Sequence, residues 1–118
     1  MAPRVLIVDD HPSFRASARV LLEAEGFDVI GEAGDGATAI SEAQRLHPEV
    51  VLLDVQLPDT DGFDVAARLA RLGGVVPAVI LVSSRDSSDF GPLVSRCGAC
   101  GFVPKAELSG DRVQQLLA

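Results

Sequence analysis

The chain has no tryptophan and no tyrosine, and its 118 residues include only five phenylalanines, two cysteines and a single lysine. It is nonetheless 47% hydrophobic, so its core must be filled mainly by Ala, Val and Leu. Small side chains of that kind suit helices packed closely on a sheet. Its continuous aliphatic runs, such as 50–53 and 78–82, fall far short of the about 18 residues that a spanning helix requires. No membrane partner is expected. Basic residues are also scarce, with ten Lys and Arg against 17 Asp and Glu for a net charge of −7 and no basic run. That balance excludes the electrostatic footprint that supplies most nucleic-acid affinity, so any contact with DNA must come from another domain or a partner. The start, Met1-Ala2-Pro3-Arg4, lacks the basic, apolar, small-residue order of a secretion signal, and a cytoplasmic location is expected. A length of 118 residues suits one domain, expected to span 1–118.

What is present is an alternation. The run Val5-Leu6-Ile7-Val8 breaks abruptly into Asp9 and Asp10, the mark of a buried parallel strand whose carboxyl end reaches solvent. Strand 1 is predicted over 4–9. Pro12 and Ser13 then open a helix over 13–25, with Phe14, Ala18, Leu21 and Leu22 at helical spacing and Gly26 as its stop. The pattern repeats with strand 2 over 28–32, helix 2 over 36–46, strand 3 over 50–54 and helix 3 over 62–72. Strand 4 is predicted over 78–83, helix 4 over 87–97, strand 5 over 101–104, and a final helix 5 from Ser109. Five strands alternating with five helices imply an α/β fold, a doubly wound parallel five-stranded sheet joined by right-handed crossovers. The loops 56–61 and 84–87 leave the carboxyl edge of that sheet, where open α/β folds carry their ligand sites.

The chemistry collects on the same edge. Asp9 and Asp10 end strand 1, and Asp54 ends the apolar strand 3. Three carboxylates on one rim repel unless a cation neutralises them. Oxygen donors without a committed His or Cys select a hard ion, and few carboxylates completed by water and phosphate suit Mg2+ better than Ca2+. Ser83 ends strand 4, and Lys105, the one lysine against nine arginines, ends strand 5. A compact ammonium on a flexible stem suits a phosphoryl oxygen beside a metal. His11 is expected at the pocket's edge without a catalytic part. Cys97 and Cys100 form a C-x-x-C without a neighbouring histidine, and are expected to be small inert packing thiols.

These residues resemble, over essentially the whole chain, a response-regulator receiver domain of two-component signalling. The resemblance rests on the acidic pair Asp9 and Asp10, the strand-end Asp54, the hydroxyl of Ser83 and Lys105, which fall in the family's order. The strings Val-Leu-Ile-Val-Asp-Asp-His-Pro, Leu-Leu-Asp-Val-Gln-Leu-Pro-Asp-Thr-Asp-Gly and Gly-Phe-Val-Pro-Lys are most similar to receivers that precede helix-turn-helix DNA-binding domains. The resemblance implies a flavodoxin-like (βα)5 sheet of order 2-1-3-4-5. It implies that Asp54 is the phosphoacceptor for a sensor histidine kinase. It further implies that Mg2+, or Mn2+ in its place, is held by Asp9, Asp10, Asp54 and the Gln56 backbone carbonyl, with Asp9 acting largely through water. Lys105 and Ser83 would hold phosphoryl oxygens, and the chain would lose its phosphoryl group by self-catalysed hydrolysis rather than act as a turnover enzyme. Ser83 and Phe102 would switch a face made by helix 4, strand 5 and helix 5, controlling output in transcription regulation and, as one route, homodimerisation. The chain departs from the common pattern where Ala106, not Pro, follows Lys105, and Gln56 and Arg85 occupy positions that the family uses to tune phosphoryl lifetime.

Two rival readings use the same residues. A small Mg2+-dependent phosphohydrolase with an aspartate nucleophile would turn over phosphate esters, but usually needs a cap for which 118 residues leave no room. A receiver-like binding module independent of phosphorylation would take no label. A flavin-binding domain on the same fold is disfavoured, because the loop after strand 1 is acidic where a phosphate-binding loop would be rich in Ser, Thr or Gly.

Overall fold

The computed structural model describes residues 2–84, 94 and 96–117. The expected helix 4 over 87–97 lies largely outside these residues, as does Arg85. The strands are β1 (Arg4–Val8), β2 (Asp28–Ala33), β3 (Val50–Asp54), β4 (Ala78–Ser83) and β5 (Gly101–Pro104). Helices α1 (Pro12–Ala24), α2 (Gly36–Leu46), α3 (Gly62–Ala70) and α4 (Gly110–Leu117) are described with them; α4 is the final helix expected from Ser109. All strand pairs are parallel, in the order β2-β1-β3-β4-β5. The expected flavodoxin-like arrangement is therefore the observed one.

Alternation along each strand sends its residues into two separate cores. Leu6, Val8, Val51, Leu53, Val79, Leu81 and Phe102 pack with Ala39 and Ala43 of α2 and with Val65, Ala66 and Leu69 of α3. Val5, Ile7, Leu52, Ile80, Val82 and Val103 pack on the other face with Ala18 and Leu22 of α1 and Val113 of α4. Small residues set the spacing between layers. A Cβ at Gly101 would stand 2.6 Å from Leu116 Cδ2, so glycine there lets the Leu116 side chain of α4 settle directly on β5.

Local chemistry ends the helices where the sequence signals it. Gly26, at φ +91°, follows α1, and the Phe27 and Gly26 amides donate to the carbonyls of Leu22 and Glu23. That is the Schellman pattern, which only a residue comfortable at positive φ supports cheaply. Asp35 and Asp61 cap α2 and α3 by accepting from the Thr38 and Asp64 amides, and Ser109 Oγ accepts from the Arg112 amide at the start of α4. Several boundaries shift: α1 begins and ends one residue earlier than expected, and β2 runs one residue further, to Ala33. Strand β1 stops at Val8, because Asp9 turns its side chain into the carboxyl rim while its amide still bonds the Ala33 carbonyl. Helix α3 stops at Ala70, two residues early, where Arg71 and Leu72 tighten the last turn by donating to carbonyls three residues back before Gly73 and Gly74 take positive φ. Lys105 follows β5 and opens a 3-10 turn, Lys105–Glu107, rather than ending the strand.

No helix among the described residues is long and apolar enough to cross a membrane. A cavity of about 540 Å3 opens at the amino edge of the sheet between Arg4, His47, Glu49, Val75 and Val76, away from Asp9 and Asp54.

Leu53 is fully buried immediately before Asp54. Leu53→Ala is expected to lower unfolding free energy by about 2–5 kcal/mol, read as a shift of the urea midpoint at constant slope.

Candidate functional site

Parallel pairing brings the ends of β1, β3, β4 and β5 to one rim, and β1 and β3 are immediate neighbours there. Asp9 is wholly buried and Asp54 is 3% exposed, an unusual position for two carboxylates. They are held by the chain's one lysine: Lys105 Nζ lies 2.6 Å from Asp9 Oδ2 and 3.1 Å from Asp54 Oδ2. The first contact is a charge pair without hydrogen-bond alignment, leaving Asp9 Oδ2 the one buried side-chain oxygen among the described residues with no hydrogen bond. Lys105 itself is 17% exposed at its side chain, and its ammonium stands 4.5 Å from the centre of the Phe14 ring, a cation–π contact.

Backbone amides complete the shell. The His11 amide donates to Asp9 Oδ1 at 2.8 Å, and the Gln56 amide donates to Asp54 Oδ1 at 3.1 Å. The His11 ring approaches both members of the acidic pair, with Nδ1 2.9 Å from Asp9 Oδ1 and 3.0 Å from Asp10 Oδ1. Asp10 is the outward member, its side chain 37% exposed. Behind the pair, Arg15 donates to the Asp9 carbonyl at 2.6 Å and to Glu32 at 3.1 Å, while Arg19 donates to Glu32 at 2.8 Å. Those bonds, Arg19's foremost, hold the Glu32 carboxyl below the usual range. On the other side, the loop after β3 turns so tightly that a Cβ at Gly62 would stand 2.5 Å from the Asp54 carbonyl oxygen.

The two buried carboxylates are pushed in opposite directions. Burial alone would raise Asp9, but the Lys105 contact and the His11 amide outweigh it and lower its pKa. Asp54 is raised, first by burial and then by the negative charge of Asp9, against the Gln56 amide and Lys105. Burial disfavours the Lys105 ammonium, yet its two carboxylate partners carry its pKa above the ordinary value. One ammonium therefore faces two buried carboxyl groups, with Asp10 beside them, an acceptor-rich pocket short of positive charge.

Comparison with known proteins agrees with this geometry. Residues 5–117 match the model of the response regulator receiver domain. The chain belongs to that family. A putative transcriptional regulator of Pseudomonas aeruginosa is 40% identical over 104 residues, covering 88% of this chain and 50% of that protein. The virulence-factor transcription regulator BvgA of Bordetella pertussis is 42% identical over 107 residues, covering 91% and 51% respectively. The chain thus spans about half the length of these curated relatives. Among solved structures, the receiver domain of the putative response regulator NarL from Mycobacterium tuberculosis superposes with a TM-score of 0.86 at 31% identity, covering 99% of this chain and 98% of that one.

Of the residues expected at a receiver pocket, Asp9, Asp54 and Lys105 meet directly, and Asp10 stands beside Asp9 through His11. Asp9, Asp10, His11 and Asp54 each offer a ligand atom within 4.8 Å of the others. Three carboxylates fit a hard divalent cation, and the family implies Mg2+. Ser83 is buried at the end of β4, paired in register with Pro104, on the same receiver rim. Phe102 is buried at the edge strand, opposite Leu81. Cys97 packs as expected, its thiol donating to the Val94 carbonyl. Cys100 does not: it is exposed, because it precedes β5 at the sheet's edge. Sequence reading passed over Phe14, Arg15 and Asp59; Phe14 had served only as a core position, and no local pattern announces which carbonyl an arginine will reach.

Replacing the lysine tests this charge balance. In metal-free protein, Lys105→Met leaves two buried carboxylates facing each other and is expected to cost about 2–4 kcal/mol near neutral pH. Because Asp9 is lowered in the folded state, the pair's contribution is present above the ordinary carboxylate pKa and is lost as pH falls through the folded value. Melting curves from pH 7 downward should show wild type and variant converging in acid.

Proposed function

We propose that residues 1–118 form one receiver domain that accepts a phosphoryl group from a sensor histidine kinase on Asp54. The observation that carries this reading is the Lys105 ammonium shared by the buried Asp9 and Asp54 at the rim. An Asp54 carboxylate oxygen attacks the phosphorus of a phosphohistidine, the O–P bond forms as the P–N bond breaks, and the leaving imidazole nitrogen recovers a proton. Such a reaction needs chiefly alignment and charge neutralisation. Asp10, Asp54 and the Gln56 carbonyl would hold Mg2+, with Asp9 acting largely through water. When bound, that ion neutralises charge developing on the phosphoryl oxygens. Lys105, already 3.1 Å from Asp54, is placed to exchange its carboxylate contact for a phosphoryl oxygen, and Ser83 takes another. Attack by water on the same phosphorus breaks the aspartyl O–P bond, releasing inorganic phosphate and restoring the Asp54 carboxylate, so the label is transient and the chain is no turnover enzyme.

Output in this reading is a protein surface. Ser83 and Phe102 move together and alter the face of β5, α4 and the expected helix over 87–97, changing self-association or partner affinity. The relatives that act in transcription support a regulatory role in the cytoplasm, with any DNA contact made outside these residues. A net charge of −7, made more negative by phosphorylation, opposes direct binding to a polyanion.

With Mg2+ and a small acyl-phosphate donor, the wild-type chain is expected to take up one base-labile, acid-stable phosphoryl group and Asp54→Asn none. Equal labelling of the variant, or sustained turnover of a small phosphate ester, overturns the assignment. In calorimetric titration Asp10→Asn should weaken Mg2+ binding, whereas Lys105→Ala should retain binding and lose labelling.

Light scattering with and without a beryllofluoride mimic should show a change in self-association or kinase affinity. Salt-sensitive, sequence-selective duplex binding by residues 1–118 alone overturns the proposed mode of output.

A further inference from the structure

Helix α2 is capped twice. Its own N-cap, Asp35, accepts from the Thr38 amide at 2.7 Å, and the Asp35 carbonyl accepts from the Ala39 amide. Two first-turn donors remain that no local residue satisfies. Both are taken by Asp59, which arrives from the loop after β3: Oδ1 accepts from the Gly36 amide at 2.8 Å and Oδ2 from the Ala37 amide at 3.0 Å. A carboxylate astride two amides at the positive end of a helix is a firm, orientation-specific contact.

The loop that carries Asp59 is short and closed. Gln56 and Asp61 form an isolated antiparallel bridge, the Leu57 amide donates to the Thr60 carbonyl, and the Gly62 amide donates to the Val55 carbonyl at 2.7 Å. Thr60 lies so close to α2 that a Cβ at Gly36 would collide with its methyl group. The helix end that receives Asp59 is itself anchored, because Ala39 and Ala43 are buried in the core beneath it. The loop is therefore fixed at its base by the Gln56 amide on Asp54 and at its tip by Asp59 on α2.

We infer that Asp59 is a positioning residue, whose clamp on α2 holds the 56–61 loop so that the Gln56 carbonyl stays aimed at the cation beside Asp54. This rests on the reading of Gln56 as a magnesium ligand. The clamp acts across the chain, from one loop to a helix some twenty residues earlier, so a helix cap and a ligand-bearing loop share one carboxylate. Asp35, which caps the same helix without touching the loop, provides the control for a purely structural role.

The test compares wild type with Asp59→Ala, Asp59→Asn, Asp35→Ala and Gly36→Ala by calorimetric Mg2+ titration, thermal melting and amide hydrogen exchange in metal-free protein. Asp59→Ala should weaken Mg2+ binding about tenfold, the scale of lost outer-shell support, and speed exchange at the Gln56 and Leu57 amides. Asp59→Asn, which keeps one accepting oxygen, should fall between it and wild type. Gly36→Ala, if folded, should reproduce the loss by pushing Thr60 away. Asp35→Ala should lower the melting temperature comparably while leaving Mg2+ affinity and loop exchange near wild type. Equal effects of Asp35→Ala and Asp59→Ala on affinity and exchange, or none from Asp59→Ala, overturn the inference. A wild-type chain that takes up no Mg2+ removes the function proposed above instead, and exchange at Gln56 and Leu57 then decides alone whether Asp59 holds the loop.

Discussion

Two carboxylates buried side by side on a sheet edge are the constraint to which the rest of this molecule answers. At about 4–5 Å and an effective dielectric of about 20, two such charges repel by roughly 3–4 kcal/mol, and burial adds to the cost of keeping either ionised. One ammonium, delivered by the turn after β5, offsets both. Its placement depends on five strands in a particular order, since only when β1, β3, β4 and β5 are contiguous do Asp9, Asp54 and Lys105 reach a common point. The pocket is thus a property of the topology, and local sequence around any one of its residues could not create it.

The same constraint explains the use of small residues away from the rim. Carboxylates can be sheltered at a sheet edge only if helices cover both faces closely, and closeness comes from Ala in α2 and α3 and from glycine where α4 crosses β5. The polar supports are built on that frame. Arg15 reaches over the edge to the Asp9 carbonyl while Glu32 holds the other side of its guanidinium, and Gly62 lets the loop after β3 fold back against the Asp54 backbone.

Much of this was legible in the chain. Aliphatic runs ending in charge located β1 and β3, Gly26 located the end of α1, and the order of Asp9, Asp10, Asp54, Ser83 and Lys105 along five strand ends gave both the family and the rim. What escaped was information carried by one side chain reaching a distant backbone. Asp59 reads as one more polar residue in a Pro-Asp-Thr-Asp-Gly turn, and only the packed position of α2 shows where its carboxylate goes. The same holds for Arg15 and for Phe14 beneath the ammonium. Cys100 was misread for another reason: a small residue just before a strand was expected to pack, whereas this one stands exposed at the open edge of the sheet. The end of α3 depended on Gly73 and Gly74, which were visible, but the tightening of the turn before them was not.

That the chain holds a single lysine has a consequence for its chemistry toward acylating reagents. Amines react as the free base, and Lys105 is kept charged by two carboxylates, largely covered and seated against Phe14. It is a poor nucleophile for as long as those contacts persist. Whatever draws Asp9 or Asp54 away from it also loosens its proton and its cover, so the acylation rate of this one side-chain amine becomes a covalent record of how the rim is occupied.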